Sequence, residues 1–123
     1  MKVLFDVDET LVTGDPQLSN GAATEPNKPI VEMLKALAKA GHEVWVSSGG
    51  GLEYAVNQCD RLGISKYVSY VAPKDSNLYK QNFDLSIDDM PTNWASINLQ
   101  VYTSKPSRLV ALGHVVPGLV IGG

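Results

Sequence analysis

The sequence predicts an α/β domain built around a parallel β-sheet. Short apolar runs alternate along the chain with amphipathic segments of helical periodicity, which is the pattern of βαβ units with right-handed crossovers. Polar residues follow several of these runs at the point where each predicted strand ends. At 123 residues the chain has the length of one domain with a buried core. We therefore expect a single domain spanning residues 1–123.

The composition excludes several classes of protein. Apolar residues make up 44% of the chain and charged residues 19%, as in ordinary globular proteins. The net charge of −3 provides no long-range attraction to nucleic acids or anionic membranes. The single cysteine, Cys59, excludes a disulfide within the chain, and no apolar run approaches the roughly 20 residues of a membrane span. Because no charged segment followed by an apolar one opens the chain, we expect a cytoplasmic protein.

The first predicted strand is the apolar run at residues 3–5, which ends in two acids, Asp6 and Asp8. A hydroxyl side chain, Thr10, follows two positions later. Residues 12–27 are rich in Gly, Pro, Asn, Ser and Thr, and they predict a loop with a small hairpin near its start.

The first predicted helix begins at Asn27, which can act as an N-cap, and ends at Gly41. Its apolar residues recur at helical spacing and are Ile30, Met33, Leu34, Leu37 and Ala38. Residues 43–48 predict a second strand, which three consecutive glycines interrupt.

A second amphipathic helix is predicted after these glycines, and it ends at Gly63. The residues expected on its apolar face are Leu52, Ala55, Val56, Cys59 and Leu62. This pattern places Cys59 in the core rather than in a catalytic or metal site.

The second half of the chain predicts three further strands, at residues 67–72, 83–87 and 99–102. A short helix starting near Asp75 or Ser76 and a helical turn within residues 91–97 are expected between them. The pattern is weaker afterwards. Residues 109–112 suggest a helix, and the stretch 104–123 as a whole stays unassigned.

The residues that could take part in binding or catalysis all fall at the predicted carboxyl ends of strands. Open α/β sheets bind their ligands at this edge, and a buried sheet has no structural use for so many polar ends. Two carboxylates close together also require a cation or a proton to relieve their repulsion. The residues concerned are Asp6, Asp8, Ser47, Ser48, Lys74, Asp88 and Asp89.

The string at residues 3–12, VLFDVDETLV, resembles the first motif of the haloacid dehalogenase (HAD) superfamily of phosphotransferases. The resemblance extends over about residues 1–91. It implies a three-layer Rossmann-like fold whose parallel sheet of about five strands has the order 3-2-1-4-5. It also implies that Asp6 is the nucleophile that forms an aspartyl-phosphate and that Asp8 is the general acid and base.

The resemblance also implies a phosphate-binding set. Ser48 matches the hydroxyl of the second motif, and its neighbour Ser47 is the alternative. Gly49 and Gly50 can bring backbone N–H groups close to the phosphate at the start of a helix.

The resemblance also implies a lysine of the third motif, upstream of the fourth motif and before a helix. Lys74 lies at the end of the third predicted strand and matches this position better than Lys80, which falls within a predicted helix. We favour Lys74 as the residue that binds the phosphate and assists catalysis.

Asp88 and Asp89 match the acidic fourth motif, which closes the fourth predicted strand. The resemblance implies that they hold Mg²⁺ together with Asp6 and the main-chain carbonyl of Asp8. Hard carboxylate oxygens favour Mg²⁺ over softer metals.

The connections after the first and third strands are too short for an inserted cap domain, so the chain resembles the capless type with an open site. Such a site suits a bulky phosphorylated substrate, such as a polynucleotide end or a phosphoprotein. It also suits a small phosphomonoester if a second copy of the chain in a homo-oligomer serves as the lid. The net negative charge argues mildly against nucleic acid.

Two alternatives remain beside a phosphatase. A phosphoacceptor receiver domain has nearly this length, but it carries its phosphorylated aspartate after the third strand, where this chain has Ala72, Pro73 and Lys74. A non-catalytic module of the HAD fold that binds Mg²⁺ or a partner would not need the acid and base Asp8. Three aromatic residues could line the mouth of a site, although packing explains them equally well: Tyr54, Tyr79 and Trp94.

Overall fold

A computed structural model describes residues 1–14, 24–103 and 108–112. The strands of this part of the chain are β1 (Lys2–Asp6), β2 (Val12–Thr13), β3 (Glu25–Pro26), β4 (Glu43–Ser48), β5 (Tyr70–Pro73), β6 (Phe83–Asp88), β7 (Ala95–Tyr102) and β8 (Arg108–Leu112). Its helices are α1 (Lys28–Lys39) and α2 (Leu52–Leu62), with 3-10 helices at Ser65–Tyr67 and Ser76–Gln81.

The architecture is α/β with a mostly parallel central sheet, as the alternation of strands and helices predicts. Six strands form this sheet in the order β5-β4-β1-β6-β7-β8, and β2 pairs with β3 in a separate two-stranded ribbon. Strands β5, β4, β1, β6 and β7 are parallel to one another. Strand β1 lies between β4 and β6, with Asp6 beside Ser47 and Phe5 beside Ile87.

The expectation of about five parallel strands is wrong in one respect, because the sheet has a sixth strand that makes it mixed. Strand β8 runs antiparallel to β7, with Tyr102 opposite Arg108. Antiparallel strands can be joined by a short turn. Only residues 104–107 separate β7 from β8, which suits the antiparallel pairing.

The expectation of a helix at residues 109–112 is therefore also wrong. Leu109 is buried and Ala111 packs against the same core cluster, while Val110 lies between them. This alternation has the period of two that a strand requires. Because the run is only a few residues long, its apolar content alone did not distinguish a strand from a helix.

Other boundaries also differ from the prediction. Strand β5 begins at Tyr70 rather than at residue 67, because Ser65–Tyr67 forms a 3-10 turn. The predicted helical turn at residues 91–97 is absent from this described segment, where β7 begins at Ala95. Strands β2 and β3 pair with each other, whereas most of the small hairpin expected around residues 14–16 lies outside the described residues. Most of the unassigned stretch 104–123 also lies outside it.

The main core cluster packs α1 and α2 against one face of the sheet. Its side chains from the three central strands are Val3, Phe5, Val44, Val46, Leu85 and Ile87. On α2 the prediction of the apolar face is partly wrong, since Leu52 and Val56 are 47% and 40% exposed while Gln58 is buried. A smaller cluster contains Leu4, Leu78 and Phe83. No helix in the part of the chain that the structure describes is long and apolar enough to cross a membrane.

Candidate active site

Four parallel strands bring polar residues to one edge of the sheet. Asp6 ends β1, Ser48 ends β4 and Asp88 ends β6, while Lys74 directly follows β5. Because parallel strands present their carboxyl ends at the same edge, these residues meet although they are far apart in the sequence. The central position of β1 places Asp6 between the other contributors.

Lys74 connects two of these strand ends through its ammonium group. Its Nζ lies 3.1 Å from Oδ1 of Asp6 and 2.6 Å from Oδ2 of Asp88. Both carboxylates are buried, and the lysine side chain is 17% exposed. Charge-assisted hydrogen bonds of this length in a buried setting are strong and fix the geometry. Lys80 lies exposed on the 3-10 helix Ser76–Gln81, so Lys74 is the lysine that joins the site.

Asp89 completes what we call the carboxylate–lysine cluster: Asp6, Lys74, Asp88 and Asp89. Among the described residues, one carboxylate oxygen from each of the three acids lies within 4.8 Å of the other two. The backbone N–H of Met90 donates to Oδ1 of Asp88 at 3.0 Å and holds this side chain in place. Such a set of hard oxygen ligands could hold a divalent cation such as Mg²⁺.

The electrostatics of the cluster favour an additional cation. Burial and the neighbouring charge of Asp88 raise the pKa of Asp6 from its usual 3.8 to about 8, although Lys74 acts in the opposite direction. Burial also raises the pKa of Asp89. Burial lowers the pKa of Lys74, but the carboxylates of Asp6 and Asp88 outweigh this effect and raise it overall. The ammonium of Lys74 contacts only two of the three carboxylates, and a bound divalent cation would relieve the remaining repulsion.

The turn after β1 supports Asp6 from the other side. The carbonyl of Val7 accepts hydrogen bonds from the N–H groups of Thr10, Leu11 and Val12, which folds the chain back at once. The hydroxyl of Thr10 thereby reaches Oδ2 of Asp6 and donates to it at 3.2 Å. Both oxygens of Asp6 thus have a partner, and the carboxylate is held in one orientation.

Glu9 connects the same turn to Gly14, which is five residues away, and to Thr103, which is 94 residues away. It has a left-handed backbone with φ of +56°, which costs a non-glycine residue about 1–2 kcal/mol. Its Oε1 accepts a hydrogen bond from the N–H of Gly14, and its Oε2 accepts one from the hydroxyl of Thr103 at 2.9 Å. These two bonds offset the backbone strain and set the shape of the loop that carries Asp8.

Ser48 and the following glycines lie where β4 leads into α2. The Ser48 hydroxyl is buried and accepts a hydrogen bond from the N–H of Gly50 at 3.0 Å. Ser47 is equally buried, and its hydroxyl has no hydrogen-bond partner among the described residues. Gly49 and Gly50 are exposed just before the first turn of α2, where backbone N–H groups attract anions.

Asp8 does not join the carboxylate–lysine cluster through its side chain. Its Oδ1 instead accepts a hydrogen bond of 2.5 Å from the hydroxyl of Tyr54 in the first turn of α2. The expected metal contact concerns the main-chain carbonyl of Asp8 and stays a prediction. Burial and the Asp8 carboxylate both raise the pKa of Tyr54, so that its hydroxyl keeps the proton.

Sequence reasoning placed most of these residues together, but it gave Thr10 no role and gave Tyr54 only a possible place at the mouth of a site. Thr10 belongs to the first motif, and its distance of four residues from Asp6 was the available signal. Tyr54 lies 46 residues from Asp8, and no local pattern connects them. Cys59 lies in the core as expected, where burial raises the pKa of its thiol to about 11.

No family model matches this chain, and no curated protein matches it. Its function is therefore inferred from the geometry and chemistry of the carboxylate–lysine cluster and its surroundings.

Proposed function

We propose that the protein is a Mg²⁺-dependent phosphatase of the HAD type, which hydrolyses phosphate monoesters through an aspartyl-phosphate at Asp6. The observation that carries the proposal is the bridging position of Lys74, 3.1 Å from Asp6 and 2.6 Å from Asp88. A candidate nucleophile, a cation and two further acids from three different strands thus meet at one point. Phosphoryl transfer needs this combination, because positioning and charge stabilisation provide most of its catalysis.

The roles of the cluster follow from charge. A carboxylate that attacks a phosphate dianion meets like-charge repulsion, which the ammonium of Lys74 offsets. Asp6, Asp88 and Asp89 would hold the Mg²⁺ ion, which when bound polarises a phosphoryl oxygen as a Lewis acid. Thr10 keeps the Asp6 carboxylate oriented through its hydrogen bond to Oδ2.

The proposed reaction has two steps, which together consume one water molecule and release one alcohol and one inorganic phosphate. In the first, a carboxylate oxygen of Asp6 forms a bond to phosphorus, the bond from phosphorus to the leaving oxygen breaks, and protonated Asp8 gives its proton to that oxygen. In the second, water attacks phosphorus, Asp8 takes a proton from it, and the bond between Asp6 and phosphorus breaks. Asp8 is then protonated again, and inorganic phosphate leaves.

The segment between β4 and α2 supports a phosphate position beside Asp6. Ser48 closes β4 with a hydroxyl that accepts a hydrogen bond from the N–H of Gly50, and the N–H of Gly49 precedes the positive end of the helix dipole. Ser47, which neighbours Asp6 across the β1–β4 pair, remains the alternative hydroxyl.

The topology gives further support to the resemblance. Counted in chain order, the five parallel strands lie across the sheet as 3-2-1-4-5, the order that the resemblance implies. Between β5 and β6 the chain holds only the 3-10 helix Ser76–Gln81 and its flanking residues, which leaves no room for a cap domain. We therefore propose the capless type.

An uncapped site constrains the substrate. Without an inserted lid, the site would accept a bulky phosphorylated partner, such as a polynucleotide end or a phosphoprotein. A small phosphomonoester would need a second copy of the chain, in a homo-oligomer, to exclude water from the reaction.

The test is the Mg²⁺-dependent release of phosphate from p-nitrophenyl phosphate and a panel of phosphomonoesters. We expect turnover by the wild type, and a loss of at least about 100-fold in kcat for Asp6→Asn and for Asp8→Asn. Asp84→Asn is the matched control, because Asp84 is an exposed acid near the opposite end of β6. Trapping of beryllofluoride on Asp6, seen in a crystal structure, would be the direct structural test.

Activity that survives Asp6→Asn would contradict the assigned nucleophile. An inactive wild type that still binds Mg²⁺ would instead favour the non-catalytic module. A stable phosphoryl group on an aspartate, without hydrolysis, would favour the receiver-like alternative.

A further inference from the structure

The contact between Tyr54 and Asp8 has no part in the reaction described above. From it we infer that Tyr54 is a positioning residue, which holds the Asp8 carboxyl group apart from the carboxylate–lysine cluster so that it can serve as the proton carrier. The inference rests on the proposed function. It adds an explanation of how Asp6 and Asp8, which are nearly adjacent in the sequence, can have different roles.

The need for such a device follows from the sequence. Asp6 and Asp8 are separated by one residue at the end of a strand, and a divalent cation attracts every carboxylate within reach. A carboxylate bound to that cation is a poor proton donor and acceptor, because the cation stabilises its ionised form. Asp8 can carry a proton only if its side chain is kept away from the ion-binding oxygens.

The hydroxyl of Tyr54 provides this restraint. It donates to Oδ1 of Asp8 at 2.5 Å, whereas the oxygens that approach one another within 4.8 Å come from Asp6, Asp88 and Asp89. A neutral donor holds the carboxylate without adding a second cation that would compete for the proton. Asp8 is therefore tied to α2, while Asp6 is tied to Lys74.

The ring of Tyr54 is itself fixed by its surroundings. It packs against the main core cluster. It also lies over Gly50, where an added Cβ would be 2.8 Å from Cδ2 of Tyr54 and 3.3 Å from Oγ of Ser48. Residue 50 must therefore be a glycine for the ring to keep this position. The phenol therefore extends from α2 past Gly50 to Asp8.

The test uses the dependence of the rate on the leaving group. An alkyl alcohol leaves phosphorus only when its oxygen is protonated, whereas p-nitrophenolate is stable as an anion and needs little help. The parameter kcat/KM covers the steps up to the departure of this group. We expect Tyr54→Phe to lower kcat/KM at least about tenfold for an alkyl phosphate and less than about threefold for p-nitrophenyl phosphate, since general acid catalysis contributes about 10²- to 10⁴-fold.

Two further variants complete the design. In an Asp8→Asn background, adding Tyr54→Phe should cause no further loss on the alkyl phosphate, because the group that Tyr54 positions is already absent. Tyr70→Phe removes the same oxygen from an exposed tyrosine at the start of β5, at the end of the strand away from Lys74, and should leave both substrates unaffected.

Equal losses on the two substrates, or no loss on either, would overturn the role of Tyr54 while leaving the phosphatase proposal in place. An additive loss in the Asp8→Asn background would also overturn it. If the wild type hydrolyses neither substrate, the proposed function fails, and the inference that rests on it fails as well.

Discussion

Asp6, the proposed nucleophile, lies in an unfavourable environment. It is 5% exposed, it neighbours the charge of Asp88, and it shares its ammonium partner with that residue. Burial of a carboxylate in such surroundings costs stability in the absence of a further cation. Residues placed for catalysis often carry this cost, and it can be measured.

The pH dependence of stability should therefore change when Asp6 is replaced by Asn. The pKa of Asp6 is about 8 in the folded chain against 3.8 in its usual state, so between these values the folded state binds a proton that the unfolded state lacks. The free energy of unfolding contributed by Asp6 therefore falls as the pH rises from about 4 to 8. Without divalent ions, we expect Asp6→Asn to be more stable than the wild type at pH 8 by about 1–3 kcal/mol.

Urea denaturation of both proteins at several pH values, with a chelator present, measures this difference. It should shrink as the pH falls towards 4, where the unfolded state begins to take up the proton that the folded state already carries. A difference that does not vary with pH would contradict the account of Asp6.

Replacing Lys74 by Met should lower the stability of the protein, in contrast to Asp6→Asn. The change keeps most of the side-chain volume but leaves Asp6 and Asp88 without their ammonium partner. We expect a loss of about 3 kcal/mol in stability at neutral pH and of at least about 100-fold in kcat/KM.

Lys80→Met provides the control, since Lys80 is exposed on the 3-10 helix Ser76–Gln81. Thermal unfolding and turnover should be nearly unchanged in this variant. A similar effect of the two substitutions would show that Lys74 has no special role.

At the scale of elements, the sheet is easier to predict from the sequence where strands and helices alternate. The apolar run at residues 43–48 lies between a helix that ends at Gly41 and a glycine-rich turn, and β4 has these same bounds. Strand β8 lacked such signals, because its pairing depends on β7 and on the short connection between them rather than on its own pattern. The exposed Leu52 and Val56 show a second limit, since helical periodicity finds a face but not its exact width.

The antiparallel placement of β8 can be tested through its packing. Leu109 is 1% exposed within the main core cluster, whereas Val110 is half-buried and does not belong to that cluster. We expect Leu109→Ala to lower the free energy of unfolding by about 2–4 kcal/mol. Val110→Ala should cost clearly less, as measured by denaturant titration. Equal costs would argue against a strand at this position.

At the scale of the whole molecule, the sequence predicted which residues meet but not how they divide their tasks. Parallel strands bring their carboxyl ends together, so the meeting of Asp6, Lys74 and Asp88 follows from the topology. The bond from Tyr54 to Asp8 depends instead on the path of α2 over Gly50, a three-dimensional fact without a sequence signature. The choice between Ser47 and Ser48 likewise cannot be derived from their order.

Binding of Mg²⁺ should stabilise the entire fold. A cation that binds only the folded state adds about 2.7 kcal/mol to the free energy of unfolding when its concentration is 100 times its dissociation constant. The cluster forms only when β1 and β6 are in place, so the ion should bind only the folded state. We expect MgCl₂ to raise the melting temperature of the wild type by several degrees relative to NaCl of equal ionic strength.

The variant Asp88→Asn should lose most of this increase, whereas Asp84→Asn should retain it. The shift is measured by differential scanning calorimetry at a series of Mg²⁺ concentrations. An unchanged shift in Asp88→Asn would place the ion elsewhere on the molecule.

The bond between Glu9 and Thr103 spans 94 positions of the chain. It links the end of β7 to a residue three places from the proposed nucleophile, so a displacement of either region should strain this bond. A partner that bound the end of β7, or an insertion just after it, should disturb this bond and thereby the loop that carries Asp8. One hydrogen bond thus connects the end of the fifth parallel strand to the turn that follows the first.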